Sequence, residues 1–316
     1  MTRIRNFTMT LALAASALAL APSPALADGN GVHYRTTQTD GVKIFYREAG
    51  DPKNPTIILL HGFPSSSHMF RDLIPKLSTK YHVIAADMPG YGYSDQPDPA
   101  KFEYSFAHLT DVMDDFIAER GIRRYALYVM DYGSPIGFRL FVKHPERVTA
   151  IVSQNGNAYK EGLSDFWAEN LVPYWTNKNS ETEKKAIALL TIGVTKFQYT
   201  QGFRNAENVN PDSYANDQAI LDRPGNRDIQ LALFYDYRTN VAQYDAWHDA
   251  MRKAQVPLLA VWGKDDPIFV PAGAEAFKRD LPKAEVHFVD TGHFALEEDS
   301  DKIAGYMLSF LNKTVK

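Results

Sequence analysis

Three side chains in this sequence have the types and settings that carry chemistry. Asp131 closes the apolar run Leu127-Tyr128-Val129-Met130 and is followed by Tyr132 and Gly133. A carboxylate at the end of a buried strand costs several kcal/mol unless it is paired or used. Gly133 marks a tight turn into a helix starting near Ser134, and a carboxylate held up on such a turn can act as a nucleophile. Asp266 follows the apolar segment that ends at Trp262, within Gly263-Lys264-Asp265-Asp266-Pro267, and His293 follows the one that ends near Val289, within Asp290-Thr291-Gly292-His293-Phe294. The remaining histidines show neither H-E-x-x-H nor His-x-His spacing, so no metal site is expected, and no cofactor motif is present.

The elements that would position these groups alternate in type. Strands are expected at Val32 to Thr37, Val42 to Arg47, Thr56 to Leu60, His82 to Ala86, Tyr125 to Met130, Val148 to Ser153, Pro257 to Trp262 and Glu285 to Val289. Continuous apolar strands such as Thr56-Ile57-Ile58-Leu59-Leu60 imply burial on both faces. Helical spacing runs from Met69 to Leu77, Phe106 to Glu119, Ser134 to Lys143, Ala272 to Arg279 and Lys302 to Leu311. Strand-helix alternation implies right-handed crossovers and an α/β fold with a mostly parallel sheet. In such a sheet, ligands bind at the carboxyl ends of the strands, where Asp131, Asp266 and His293 converge. From 156 to 244 no clear buried strand is legible, and aromatics abound, so this stretch reads as an inserted helical cap over a core formed by 28–155 and 245–316.

The first 27 residues read as a secretory signal peptide. Arg3 and Arg5 precede the short apolar run Leu11 to Leu20, and Ala25-Leu26-Ala27 fits a cleavage site. That run is too short for a comfortable membrane span. The expectation is a periplasmic or secreted protein with no membrane association after cleavage. The formal charge of −4 becomes −6 once the two arginines leave. A mildly acidic chain with no basic stripe argues against a nucleic-acid partner. There is no cysteine, so core packing alone must hold the domain.

With these residues in place, the chain resembles an α/β-hydrolase over nearly all of the mature length. The resemblance rests on His61-Gly62-Phe63-Pro64, the glycine turn from Asp87 to Ser94, the elbow at Asp131, the acid loop at Asp266 and Thr291-Gly292-His293-Phe294. It departs from serine esterases at the nucleophile. Ser134, in Gly133-Ser134-Pro135-Ile136-Gly137, lies outside the G-x-S-x-G frame and reads as the start of the helix. The resemblance therefore implies an aspartate nucleophile. Asp131 would form an ester with substrate carbon, and water activated by His293, oriented by Asp266, would hydrolyse it. It favours Asp266, the residue before proline, over Asp265 as the orienting acid. It puts the oxyanion hole at the backbone N–H groups of Phe63 and Tyr132 and makes His61 a structural residue of its loop.

Relatives with an aspartate nucleophile include epoxide hydrolases, haloalkane dehalogenases and haloacetate dehalogenases, which differ in the donors that meet the leaving group. For epoxides, Tyr237-Arg238-Thr239-Asn240 resembles the late-cap Tyr-Arg-Asn segment, and Tyr174 stands where an early-cap tyrosine is expected. For haloalkanes, Val129 and Gly133-Ser134 resemble the dehalogenase elbow. Tyr132 and Phe63, however, replace a tryptophan and an asparagine, which leaves Trp175 as the one candidate halide donor. Haloacids fit least, because Tyr132 and Pro135 stand where arginines would grip a carboxylate. The expectation is an epoxide hydrolase acting with water on a small apolar organic substrate. The alternatives are a haloalkane dehalogenase with the same triad and a non-catalytic binding protein on this scaffold.

Overall fold

The computed structural model describes residues 31–315. The signal-peptide expectation for residues 1–27 lies outside the described residues. Eight strands form one sheet: β1 (His33–Thr39), β2 (Val42–Ala49), β3 (Thr56–Leu60), β4 (His82–Ala86), β5 (Tyr125–Val129), β6 (Val148–Gln154), β7 (Leu258–Gly263) and β8 (Glu285–Val289). Their order is β1-β2-β4-β3-β5-β6-β7-β8. Strand β2 runs antiparallel to both neighbours, and every pairing from β4 to β8 is parallel.

The helices are α1 (Ile74–Leu77), α2 (Phe106–Glu119), α3 (Gly133–Lys143), α4 (Asp165–Asn170), α5 (Val172–Thr176), α6 (Ser180–Ala188), α7 (Ile192–Thr200), α8 (Pro211–Leu221), α9 (Asn226–Asp236), α10 (Arg238–Ala254), α11 (Ala272–Asp280) and α12 (Leu296–Thr314). Alternate strand residues serve two separate cores. Ile58, Leu60, Leu127 and Val129 pack with α2, α3, α10 and α11, while Ile57, Leu59, Ala126 and Tyr128 pack with α1 and α12. Both faces are thus covered, which is why these strands carry no polar alternation.

The chain leaves β3 toward β4 on one side and resumes at β5 on the other. The loop after β3 and the turn after β5 therefore flank one crevice, the topological switch point. Gly133 permits the close approach there, since a Cβ at this position would lie 2.2 Å from the Leu60 carbonyl oxygen. Between β6 and β7 the described residues hold helices α4 to α10 and no named strand.

Three expectations about elements need correction. The helical spacing from Met69 to Leu77 resolves into a 3₁₀ turn at Ser67–Phe70 and the single-turn α1. Pro75 has no N–H to donate, so it is tolerated only in a first turn, and the helix must start beside it. Helix α10 runs straight through position 244 to Ala254, so no break in the chain marks the end of the cap there. Helix α12 begins at Leu296 rather than Lys302, with non-helical geometry at Asp299 inside it.

Candidate active site

Asp131 sits two residues beyond β5 in the left-handed region, at φ 47°. A non-glycine residue there is strained by roughly 1–3 kcal/mol, and such strain persists where the surroundings fix it. Two backbone N–H groups do so. Phe63 donates to Asp131 Oδ1 at 2.7 Å and Tyr132 donates to the same oxygen at 2.6 Å. Gly62 makes room for this, because a Cβ there would lie 2.3 Å from Asp131 Cβ. The N-terminus of α3 adds a favourable dipole for negative charge.

Asp131 Oδ2 faces His293 Nε2 at 3.8 Å, and that nitrogen has no hydrogen-bond partner. The other ring nitrogen, Nδ1, lies 2.8 Å from Asp266 Oδ2. Asp266 is buried, whereas Asp265 is exposed, so it is Asp266 that the structure brings to the histidine. Asp266 is held by three further contacts in its surroundings: the Ile268 N–H donates to Oδ1 at 2.7 Å, the Asn155 amide donates to Oδ2 at 2.6 Å, and Asn155 Oδ1 accepts the Gly263 N–H at 3.0 Å.

Burial pushes the Asp131 carboxyl up to about 6, against the opposing pull of His293 and the two N–H donors. Burial pulls the His293 imidazole down, but Asp266, with help from Asp131, outweighs it and holds the pKa above the usual value. His61 is fully buried, and burial keeps it neutral. Its Nε2 accepts the Met88 N–H at 3.0 Å, so it ties the loop after β3 to the one after β4. Ser134 is buried inside α3 and donates to the Asn157 carbonyl at 3.0 Å.

Asp131 opens into a cavity walled by aromatic and aliphatic side chains, including Phe63, Tyr132, Phe166, Trp167 and Phe234. Among the described residues no Lys or Arg lines it. The cavity is tight, with about 20 Å³ open to the centre of a water molecule, so cap side chains must shift to admit a substrate.

The cap residues singled out from the sequence differ in where they point. The Tyr237 ring lies 5.9 Å from that of Tyr132 and 5.8 Å, nearly parallel, from that of Trp175. Burial raises its hydroxyl well above the ordinary value, with Tyr244 and Asp131 adding to the effect. Tyr174 is not brought there. Its ring packs against Tyr235, with the Lys178 ammonium over its face, and its hydroxyl has no partner. Trp175 packs against Trp167 and Tyr237, and its indole N–H donates to the Phe234 carbonyl at 2.6 Å. Trp167, which lines the cavity, likewise donates to the Ile268 carbonyl at 2.9 Å.

Two residues escaped the sequence reading. Asn155 holds Asp266, and its signal was available: Gln154-Asn155 ends the buried strand β6 on polar side chains, as Asp131 ends β5. Gln198 lines the cavity from α7, and nothing in its sequence setting announces that.

A family model described as the alpha/beta hydrolase fold matches residues 55–300, and the chain belongs to that family. An uncharacterized hydrolase of Saccharomyces cerevisiae, YNR064C, is 46% identical over 274 residues, 85% of this chain and 93% of that protein. A haloalkane dehalogenase of Mesorhizobium japonicum is 28% identical over 85% of this chain and 88% of its own length. The solved structure of the haloalkane dehalogenase DbeA from Bradyrhizobium elkani superposes with a TM-score of 0.73 at 22% identity, covering 90% of this chain and 100% of that one, which speaks for the fold alone. The protein is thus an enzyme of the α/β-hydrolase class, similar to the haloalkane dehalogenase type.

Proposed function

We propose that this hydrolase opens epoxides to vicinal diols through an ester on Asp131. Oδ2 attacks an oxirane carbon, the carbon–oxygen bond breaks, and the departing alkoxide takes a proton from Tyr237. Water then adds to the ester carbonyl and gives its proton to His293 Nε2. The negative charge of the tetrahedral intermediate falls on Oδ1, the oxygen that already receives the Phe63 and Tyr132 N–H groups. Collapse releases the diol, protonated by the imidazolium, and leaves a carboxylic acid on Asp131, whose proton returns to the Tyr237 phenolate and so restores both groups.

The observation that carries the epoxide reading is the state of the cap donors. A halide needs N–H groups aimed at it, yet the indoles of Trp167 and Trp175 are both committed to backbone carbonyls. The Tyr237 ring lies tilted against Tyr132 and its hydroxyl, paired with that of Tyr244, senses the charge of Asp131. Its raised pKa keeps the proton on the phenol until an alkoxide develops. The haloalkane reading is supported by relatives named haloalkane dehalogenase, among them the 28% identical protein above. The apolar wall suits a small uncharged substrate, and the export signal read from residues 1–27 would set the enzyme to work in the periplasm or outside the cell.

Purified protein incubated with styrene oxide and, separately, with 1-bromobutane tests the choice. Diol without bromide is the expected result. Bromide release without diol overturns it. A single turnover in ¹⁸O-water adds a check, since the first diol formed must carry unlabelled oxygen from Asp131.

A further inference from the structure

Gln198 is the one uncharged amide on a wall that is otherwise apolar or aromatic apart from Asp131. It is only 4% exposed. It lies one helical turn from Val194, which lines the same cavity, so α7 presents this face to the substrate space. The polar side chains beside it are committed elsewhere. Thr195 donates to Gln218 Oε1 at 2.8 Å and Tyr199 donates to Asp217 Oδ2 at 2.5 Å. The Tyr199 ring also stacks on Phe294, next to His293, with centroids 3.9 Å apart. Helix α7 is therefore pinned on both sides of Gln198, while the Gln198 amide engages no protein group among the described residues. An amide that opens onto a binding cavity, on a helix already fixed, is placed to gain a partner when ligand arrives.

We propose that Gln198 determines specificity by hydrogen-bonding a hydroxyl on the substrate, away from the reacting carbon. An amide offers both a donor and an acceptor, and a hydroxyl uses both. A carboxylate would find no Lys or Arg on this wall among the described residues. This deepens the epoxide reading and rests on it: the substrate class becomes small terminal epoxides with an apolar chain and one hydroxyl.

The test uses terminal epoxides of three to six carbons, each ending in CH2OH and matched with an alkyl epoxide in which CH3 replaces the hydroxyl. Binding is read by tryptophan fluorescence in the Asp131→Asn protein, which cannot consume the ligand and in which Trp167 lines the cavity. At one or more chain lengths the hydroxyl partner should bind about tenfold more tightly, the size of one hydrogen bond completed against one left unmade. Adding Gln198→Leu, or the unbranched Gln198→Met should the leucine variant not fold, should bring the ratio to within about twofold of unity. No preference at any length, or a preference that survives both substitutions, overturns the proposal. Diol formation by the unsubstituted enzyme is followed in parallel. Absence of diol with the binding preference intact sinks the epoxide reading alone, and diol without preference sinks the Gln198 assignment alone.

Discussion

In the proposed reaction Asp131 attacks carbon only when it is ionised, so its burial should be visible in the rate of the first chemical step. Desolvation raises its pKa to about 6, against the counter-pull of His293 and the N–H groups of Phe63 and Tyr132. An exposed aspartate titrates near 3.9. With a midpoint of about 6 the ionised fraction is about 0.9 at pH 7 and about 0.1 at pH 5, so ester formation should slow about tenfold between them. An ordinary carboxylate would stay more than about 0.9 ionised at pH 5, and the rate would be flat. Tyr237 holds its proton over the whole range, so it adds no second titration. His293→Gln gives the clean readout. It removes the group that activates water, so the ester accumulates and intact-protein mass after rapid quenching counts it. It also removes the attraction that lowers the Asp131 pKa. The midpoint should therefore move upward from about 6 as the buried pair is uncoupled. A rate of ester formation independent of pH between 5 and 8, or a midpoint that falls on replacing His293, would refute the reasoning.

Three further outcomes are expected. Tyr237→Phe should lower kcat/KM for epoxides about 10²–10³-fold, the usual loss for one donor to developing negative charge. Tyr174→Phe should stay within about twofold, because that ring packs against Tyr235 and is not on the cavity wall. Asp217, fully buried and bonded to Tyr199, is pushed up to about 7 by desolvation. Its folded pKa thus lies above its unfolded one, and the stability it contributes is present at low pH and lost as pH rises through about 7. Between pH 5 and 8 the loss is roughly 2–3 kcal/mol. Urea titrations should show Asp217→Asn flattening that slope by a similar amount, and an unchanged slope would count against it.

The candidate catalytic positions were legible because each breaks a simple rule. Asp131 ends a run that is otherwise fully apolar, and Asp266 and His293 follow strands of the same kind. A parallel sheet puts every strand's carboxyl end on one side, so three such breaks in sequence become one cluster in space. Orientation was not legible. Tyr174 and Trp175 are adjacent on α5, where successive side chains point about 100° apart. Which of them faces the nucleophile depends on how a five-residue helix docks against α9, and composition carries no trace of that. Gln198 was hidden for the same reason: its meaning comes from Thr195 and Tyr199 fixing the helix against α8. The Met69 to Leu77 spacing misled because periodicity counts apolar residues and ignores the missing N–H of Pro75.

The two buried aspartates show how one residue type takes two roles. Both follow sheet strands, and both lie within reach of His293. Asp266 spends its oxygens: Oδ1 accepts the Ile268 N–H, while Oδ2 meets the Asn155 amide and His293 Nδ1. A carboxylate with three of its four lone-pair sites engaged, and off the cavity wall, is placed to hold the ring. Asp131 receives both of its donors on Oδ1 and leaves Oδ2 with no donor closer than His293 Nε2 at 3.8 Å. The unspent oxygen is the reactive one, and the spent one already sits where the second step needs an oxyanion. Donor placement, set by Phe63 and Tyr132 on one side and Asn155 on the other, therefore distinguishes nucleophile from orienting acid. This makes Asn155 as much a part of the assignment as the aspartates themselves.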